Sequence, residues 1–141
     1  MTMRLRHALL AMGSFGVLGL LASLTPSTYG IGTHRTLGLP PCFFLAATGW
    51  PCPSCGLTTS VVHLLHGEWR LGLVANPFGP IALITAIGFG GVNLYGIAKP
   101  IAWSRWIVNR WFHGALLCAM AWLLGAWIFR IIHMTILRSS R

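Results

Sequence analysis

The chain is organised around the segment Cys52-Pro53-Ser54-Cys55-Gly56, which continues directly as Leu57-Thr58-Thr59-Ser60. Two thiols separated by two residues can bind one metal ion or form a disulfide with each other. Pro53 fixes one backbone angle between the thiols, and Gly56 permits backbone conformations that other residues avoid. Threonine and serine residues ahead of apolar ones predict that a helix begins here. A thiol at a helix N-terminus lies at the positive end of the helix dipole, which favours the thiolate.

The composition predicts an integral membrane protein. Of the 141 residues, 55% are hydrophobic and only 8% are charged, whereas soluble domains carry roughly 25% charged residues. The formal net charge is +9, but the basic residues stand singly or in pairs at the ends of apolar stretches. That placement is typical of membrane-flanking anchors and not of a nucleic-acid-binding surface, so we expect a lipid bilayer and no nucleic acid as partner. Glu68 is the only acidic residue, which excludes paired-carboxylate catalysis within one chain.

Three apolar segments predict transmembrane helices at about residues 8–24, 77–98 and 111–132. The predicted fold is therefore all-α and integral to the membrane, and residues 1–141 form a single membrane domain. A basic start precedes the first segment, which we interpret as an uncleaved anchor and not as a removed signal peptide. Asn76 is the predicted N-cap of the second helix, and Pro77 is its predicted first residue.

Small residues predict where these helices pack. In the second helix they recur every fourth residue, and in the first helix every third, as expected for close helix–helix contact. These positions are Ala82, Ala86 and Gly90 in the second helix, and Gly13, Gly16 and Gly19 in the first. Cys118 shares a face with small residues of the third helix, and we interpret it as a packing residue and not as a ligand.

Residues 33–70 form the region of the cysteine motif. After the Cys-Pro-Ser-Cys turn we predict a short amphipathic helix over residues 56–67, lying at the membrane interface or re-entrant, with Gly67 at its end. His63 and His66 lie on the same face as Cys55, but His63 is ~12 Å from Cys55 along the helix axis. One ion cannot be shared over that distance. The histidines are three residues apart and could form a second site, but we interpret them as a polar, interfacial face. Glu68 is predicted to form an exposed pair with Arg70.

The basic residues divide evenly between the two sides of a three-span protein. One side holds Arg4, Arg6, Lys99, Arg105 and Arg110, and the other holds Arg35, Arg70, Arg130, Arg138 and Arg141. The first span often determines orientation, and its compact basic start favours a cytoplasmic N-terminus. The Cys52 region would then face the extracytoplasmic space.

Several short elements occur in order within residues 33–79. They are Cys42, the run Thr48-Gly49-Trp50-Pro51-Cys52-Pro53-Ser54-Cys55-Gly56-Leu57-Thr58, Gly67-Glu68 and Asn76-Pro77. Together they resemble the bacterial family of small membrane proteins catalogued as domain of unknown function 2752. The resemblance implies a multi-span protein, which we expect in a bacterial inner membrane, and it implies no reaction. Many members of that family carry arginine where Thr59 stands here, so any function of that arginine is absent from this chain.

The cysteine motif is open to three interpretations. The first is a zinc or iron site, because Cys-Pro-x-Cys-Gly resembles the knuckles of zinc ribbons and rubredoxin-like centres. One knuckle supplies only Cys52 and Cys55, so completion requires either Cys42 together with a histidine such as His34, or a second protomer. The second is a thiol–disulfide site formed by Cys52 and Cys55, with Cys42 as a resolving thiol.

The third interpretation is structural, and it is the one we favour from the sequence. In this interpretation the turn serves folding alone, and the protein is an assembly or interaction subunit of a homo-oligomer or a larger membrane complex. We then expect no enzymatic activity. The near absence of charge within the apolar segments argues against an ion or proton pathway. All three interpretations place Cys52 and Cys55 within a few ångströms of each other at a helix N-terminus.

Overall fold

The computed structural model describes residues 2–27, 32–99 and 110–139, and each regular element within these ranges is helical. The all-α prediction is confirmed for these residues. The elements are α1 (Met3–Ala22), a 3₁₀ helix (Thr33–Leu37), α2 (Phe43–Thr48), α3 (Leu57–Leu65), α4 (Trp69–Ala75), α5 (Gly79–Ala98) and α6 (Arg110–Ser139).

Two helices, α1 and α5, are long and apolar enough to cross a membrane. Only 11% of the apolar stretch of α1 and 17% of that of α5 are buried inside the chain. An apolar helix in the core of a soluble protein is buried on all sides, whereas these two direct most of their apolar surface outward. A shorter apolar stretch, His113–Phe129, lies within α6. The three predicted segments therefore coincide with α1, α5 and part of α6.

The helices α1 and α5 pack as an antiparallel pair. A Cβ added at Gly90 would lie 2.9 Å from the ring of Phe15, and one added at Gly96 would lie 2.7 Å from Nδ1 of His7. Near the same end, His7 Nδ1 lies 2.9 Å from Oδ1 of the buried Asn93. The early part of α1 thus contacts the late part of α5, and the small residue predicted at position 90 does permit close approach.

The packing face predicted for α1 is not found within the described chain. Among the described residues, a Cβ added at Gly13, Gly16 or Gly19 would have no neighbour within 4 Å. Each step of three residues turns the position by about 60° around a helix, so glycines spaced by three drift off any single face. Cys118 was likewise predicted to be a packing residue, but its side chain is exposed on α6.

The core of the molecule surrounds α3, whose residues from Thr59 to His63 are all buried. The hydroxyl of Ser60 lies 2.6 Å from the carbonyl oxygen of Gly72 and 3.0 Å from that of Asn76. These contacts join α3 to α4 and to the start of α5. The short polar side chain permits this, because a longer one would push the three helices apart.

The turn between α3 and α4 differs from the prediction in one contact. Gly67 ends α3 as predicted, and its φ of 79° is a left-handed conformation that favours glycine. The reversal brings Glu68 back onto α3, where its Oε2 accepts a hydrogen bond from His63 Nδ1 at 2.6 Å. Glu68 therefore pairs with a histidine and not with Arg70, whose guanidinium stacks on the Trp69 ring at 5.1 Å.

Candidate metal centre

Three cysteine sulfurs converge beside the start of α3. Sγ of Cys52 lies 3.2 Å from Sγ of Cys55 and 3.5 Å from Sγ of Cys42. All three sulfurs lie within 4.8 Å of one another. Tetrahedral zinc with Zn–S bonds of ~2.3 Å holds its sulfurs ~3.8 Å apart. The cluster therefore has about the dimensions that one metal ion requires.

Two left-handed glycines bring the three cysteines together. Cys42 precedes α2, and Gly49 ends that helix with φ 72°, which turns the chain back towards Cys52. The N–H of Cys55 then donates to the carbonyl oxygen of Cys52 at 3.0 Å and closes the turn between them. Gly56 follows with φ 79° and directs the chain into α3. A side chain at either glycine would strain a backbone conformation that L-residues rarely adopt.

Asn76 stabilises the cysteine turn through side-chain hydrogen bonds. Its Nδ2 donates to the carbonyl oxygens of Pro53, at 3.2 Å, and Cys55, at 3.1 Å, while its Oδ1 accepts the N–H of Phe78 at 2.9 Å. The side chain is 1% exposed. The predicted role of Asn76 as the N-cap of the second span is wrong, because α5 begins later and its N-cap is Phe78. Pro77 accordingly precedes α5 and is not its first residue.

A second polar contact joins the segment after α1 to the site. The hydroxyl of Thr33 donates to Oγ1 of Thr59 at 2.8 Å, and the backbone N–H of Thr33 lies 3.3 Å from the same oxygen. Both side chains are fully buried. The Thr59 hydroxyl is thus engaged in a hydrogen bond with Thr33. The predicted ligand His34 follows Thr33 in the 3₁₀ helix, but its side chain lies outside the described part of the chain.

Helix α6 also contacts the cysteine region. Nε1 of Trp127 donates to the carbonyl oxygen of Pro51 at 2.7 Å. The Trp127 ring meets the Phe44 ring edge to face, with centroids 6.4 Å apart. Pro51 and Phe44 lie on the two segments that carry the thiols, so α6 holds both segments in place.

The thiols of the turn differ in acidity. Although burial raises the pKa of Cys52, hydrogen bonds to its sulfur from Ser54, Cys55 and Cys42 outweigh burial and lower the pKa to about 7. Burial raises the pKa of Cys55 to about 12, and the hydrogen bond to Cys52 acts in the same direction. The first proton leaves the pair from Cys52, since the remaining thiol then donates to that thiolate.

A cavity of about 250 Å³ opens onto all three sulfurs. Its other walls come from the turn and the first residues of α3, namely Ser54, Gly56, Leu57, Thr58 and Thr59. A ligand in this cavity would lie among the three cysteines and the N-terminal residues of α3. The predicted motif residue Thr58 is therefore a wall of the site.

The remaining predicted motif residues lie away from the thiols. Gly67 and Glu68 form the α3–α4 turn, and His66 Nε2 donates to the carbonyl oxygen of Leu24 at 3.1 Å. The histidines of α3 therefore form a hydrogen-bonding face, as the axial distance indicated. Sequence reasoning missed the parts that Thr33 and Ser54 play, because isolated hydroxyl residues give no signal without their partners.

The comparisons with known proteins give one match. A family model described as "Protein of unknown function (DUF2752)" matches residues 42–90. The matched segment runs from the first thiol of the cluster to the middle of α5. Neither a curated protein nor a solved structure matches the chain.

Proposed function

We propose that this chain, which belongs to the DUF2752 family of proteins of unknown function, is a multi-span membrane protein that binds one zinc or iron ion. The proposed ligands are Cys42, Cys52 and Cys55. The observation that supports them is the convergence of three sulfurs from two separate segments within 4.8 Å. A purely structural turn has no need of the third thiol.

The chemistry of the donors favours a soft or borderline ion. Thiolates select zinc, copper(I) and iron over hard ions such as magnesium or calcium. The backbone N–H of Ser54 hydrogen-bonds to the sulfur of Cys52, as amides do in zinc and rubredoxin-like knuckles.

The proposed location is the membrane surface. We take α1, α5 and the apolar part of α6 as the three spans, with the amphipathic α3 at the interface. The thiols precede α3, and Asn76, which supports their turn, precedes α5. The site therefore lies at one end of the α1–α5 pair, where water and hydrocarbon meet.

The ion would serve the structural role that we favoured from the sequence. It would join the segment before α2 to the start of α3 and fix a region with little regular structure. Metal binding of this kind contributes directly to folding, as in small zinc domains. The outward apolar faces of α1 and α5 would remain for assembly with further copies or other membrane subunits.

A thiol–disulfide function is the second candidate, and the difference in pKa between Cys52 and Cys55 supports it. The Cys52 thiolate would attack a substrate disulfide and release one substrate thiolate. The Cys55 thiol would then lose its proton, attack the mixed disulfide and release the second thiolate. The protein dithiol is oxidised and the substrate disulfide is reduced, with one electron pair transferred.

Mass spectrometry of the detergent-purified full chain separates these functions. The proposal predicts one zinc or iron per chain under native conditions, lost in Cys42→Ser, Cys52→Ser and Cys55→Ser. Cys118→Ser is the matched control, because Cys118 is exposed on α6, and it should retain the metal. A metal-free chain lacking two hydrogens and resisting alkylation until reduced would support the disulfide function. Metal-free, fully alkylatable thiols would contradict both the metal-binding and the thiol–disulfide function, and only the structural role would remain.

A further inference from the structure

An ion held by the three sulfurs would keep one coordination position for a further ligand. Zinc bound by three protein ligands takes a fourth ligand to complete its tetrahedron. The 250 Å³ cavity is lined by Cys42, Cys52 and Cys55, so an ion held by them would face it. The volume is several times the ~30 Å³ that a water molecule occupies in the liquid. A small molecule or a side chain can therefore reach the ion.

The described walls of the cavity offer only weak ligands. The polar side chains among them are Ser54, Thr58 and Thr59, all neutral hydroxyls. Thr59 already accepts the Thr33 hydroxyl, and Ser54 Oγ lies 3.2 Å from Sγ of Cys52. A neutral hydroxyl competes poorly for an ion that three thiolates have already softened.

Among the described side chains, the nitrogen and carboxylate donors nearest along the chain are engaged elsewhere. Within the described side chains, the cluster contains no histidine or carboxylate beside the three cysteines. His63 pairs with Glu68, and His66 bonds to a backbone carbonyl. These bonds hold the α3 histidines away from the thiols.

The environment favours an anionic ligand. The first residues of α3, from Leu57 to Thr59, line the cavity, and no side chain caps that helix end. Its backbone N–H groups lie at the positive end of the dipole, where negative charge is stabilised. Three thiolates also reduce the ion's capacity to acidify water, so a soft anion suits the position better than hydroxide.

From these observations we infer that a thiolate from outside the chain completes the metal centre and binds in this cavity. The inference rests on the proposed metal-binding function. The thiol loses its proton to solvent as its sulfur binds the ion, which gives a four-thiolate centre of the closed zinc type. The source is either a small-molecule thiol or a cysteine of a second copy of this chain.

Cobalt(II) substitution tests the inference. The full chain in detergent, carrying Cys118→Ser, is loaded with Co²⁺, and sulfur-to-cobalt charge-transfer absorption is followed as 2-mercaptoethanol is added. We expect a three-thiolate spectrum whose charge-transfer intensity rises by about one third as a fourth sulfur binds. Ethylene glycol, with a hydroxyl in place of the thiol, should leave the spectrum unchanged.

The outcomes distinguish the inference from the function on which it rests. A three-thiolate spectrum that does not respond to the thiol would overturn the inference and leave the metal function standing. A spectrum that responds only after His34→Ala would also overturn it, since His34 would then be the fourth ligand. Absence of any cysteine-dependent cobalt spectrum would overturn both.

The source of the thiolate follows from comparing Cys118→Ser with the unsubstituted chain. A four-thiolate spectrum seen in the unsubstituted chain before thiol is added, and absent in Cys118→Ser, would support the inference with Cys118 of a second copy as donor. Equal three-thiolate spectra in both proteins, followed by the same response to 2-mercaptoethanol, would support it with a small thiol as donor.

Discussion

At the scale of single residues, Asn76 determines the geometry of the cysteine turn. It satisfies two carbonyl oxygens of the turn while it accepts a backbone N–H at the start of α5. These carbonyls lie 23 and 21 residues away in sequence. The sequence indicated a cap, because an asparagine before an apolar helix usually is one. Its actual partners depend on how α3 packs against α5, which no local pattern contains.

The first prediction concerns Asn76→Asp. The aspartate retains the oxygen that accepts the Phe78 N–H but cannot donate to the carbonyls of Pro53 and Cys55. Leaving buried acceptors unsatisfied costs about 1–3 kcal/mol each, so metal affinity should fall by tenfold or more. Competition with a chromophoric chelator measures that affinity.

Asn93→Asp is the control for this substitution. Asn93 is also a buried asparagine, but it bonds to His7 and to the carbonyl oxygen of Phe89 within the α1–α5 pair. The substitution Asn93→Asp should lower thermal stability and leave metal affinity unchanged. Equal loss of affinity in both variants would show that Asn76 acts through general stability and not through the turn.

The second prediction uses the acidity of Cys52. Its pKa of about 7 lies below the ordinary 9.0, so in chelator-treated protein its thiolate forms as pH rises through 7. Iodoacetamide reacts with the thiolate, and the alkylation rate of Cys52 should therefore rise with a midpoint near pH 7. Cys55, with a pKa of about 12, should stay slow up to pH 9.

Peptide mapping by mass spectrometry assigns each alkylation rate to its thiol. Ser54→Ala removes one hydrogen bond to the Cys52 sulfur and should move the midpoint upward. The lowered pKa of Cys52 in the folded protein also affects the free energy of unfolding. Ionisation of Cys52 stabilises the folded state fully above pH 9, and this stabilisation is lost as the pH falls to 7. A midpoint at pH 9 for Cys52 would contradict the hydrogen-bonded arrangement of the three sulfurs.

At the scale of elements, the sequence predicted contacts well where its spacing matched a helix. Positions four apart, such as Ala86 and Gly90, remain near one face, and Ser14 of α1 does reach the carbonyl oxygen of Ala86 at 2.8 Å. Glycines three apart do not remain on one face, and the face predicted for α1 is open. The turn after α3 was predicted from Gly67, whereas the pairing of Glu68 with His63 depends on how far that turn reverses the chain.

The third prediction compares Gly96→Ala with Gly91→Ala, both within α5. Alanine favours a helix over glycine by about 1 kcal/mol at either site. At Gly96 the new Cβ would lie 2.7 Å from the His7 ring, whereas at Gly91 it would meet nothing within 4 Å. Thermal unfolding in detergent should show Gly96→Ala destabilised by about 1–3 kcal/mol. Gly91→Ala should be neutral or stabilised, and equal melting temperatures would contradict the α1–α5 contact.

At the scale of the whole molecule, the antiparallel pair places the thiols at the end opposite to the start of α1 and the end of α5. Arg4 and Arg6 begin α1, and Lys99 directly follows α5, so three basic residues gather at one end. The thiols lie at the other end, beside the start of α5. Composition predicted membrane association, and the outward apolar surfaces of α1 and α5 are consistent with it. The distribution of charge along the sequence did not fix the orientation, because the basic residues divide evenly between the two predicted sides.

The fourth prediction follows from this arrangement. The first span often determines orientation, and its basic start favours the cytoplasm, so the end with Arg4, Arg6 and Lys99 should be cytoplasmic and Cys52 extracytoplasmic. In sealed right-side-out vesicles, a membrane-impermeant maleimide should label Cys52 of a Cys118→Ser chain after chelation, without detergent. A chain whose single cysteine is Lys99→Cys, with the four native cysteines changed to serine, should be labelled only after permeabilisation. The reverse pattern would show the opposite orientation. The two ends of a 20-residue helix lie ~30 Å apart, so labelling of both positions from outside would show that the α1–α5 pair does not cross the membrane.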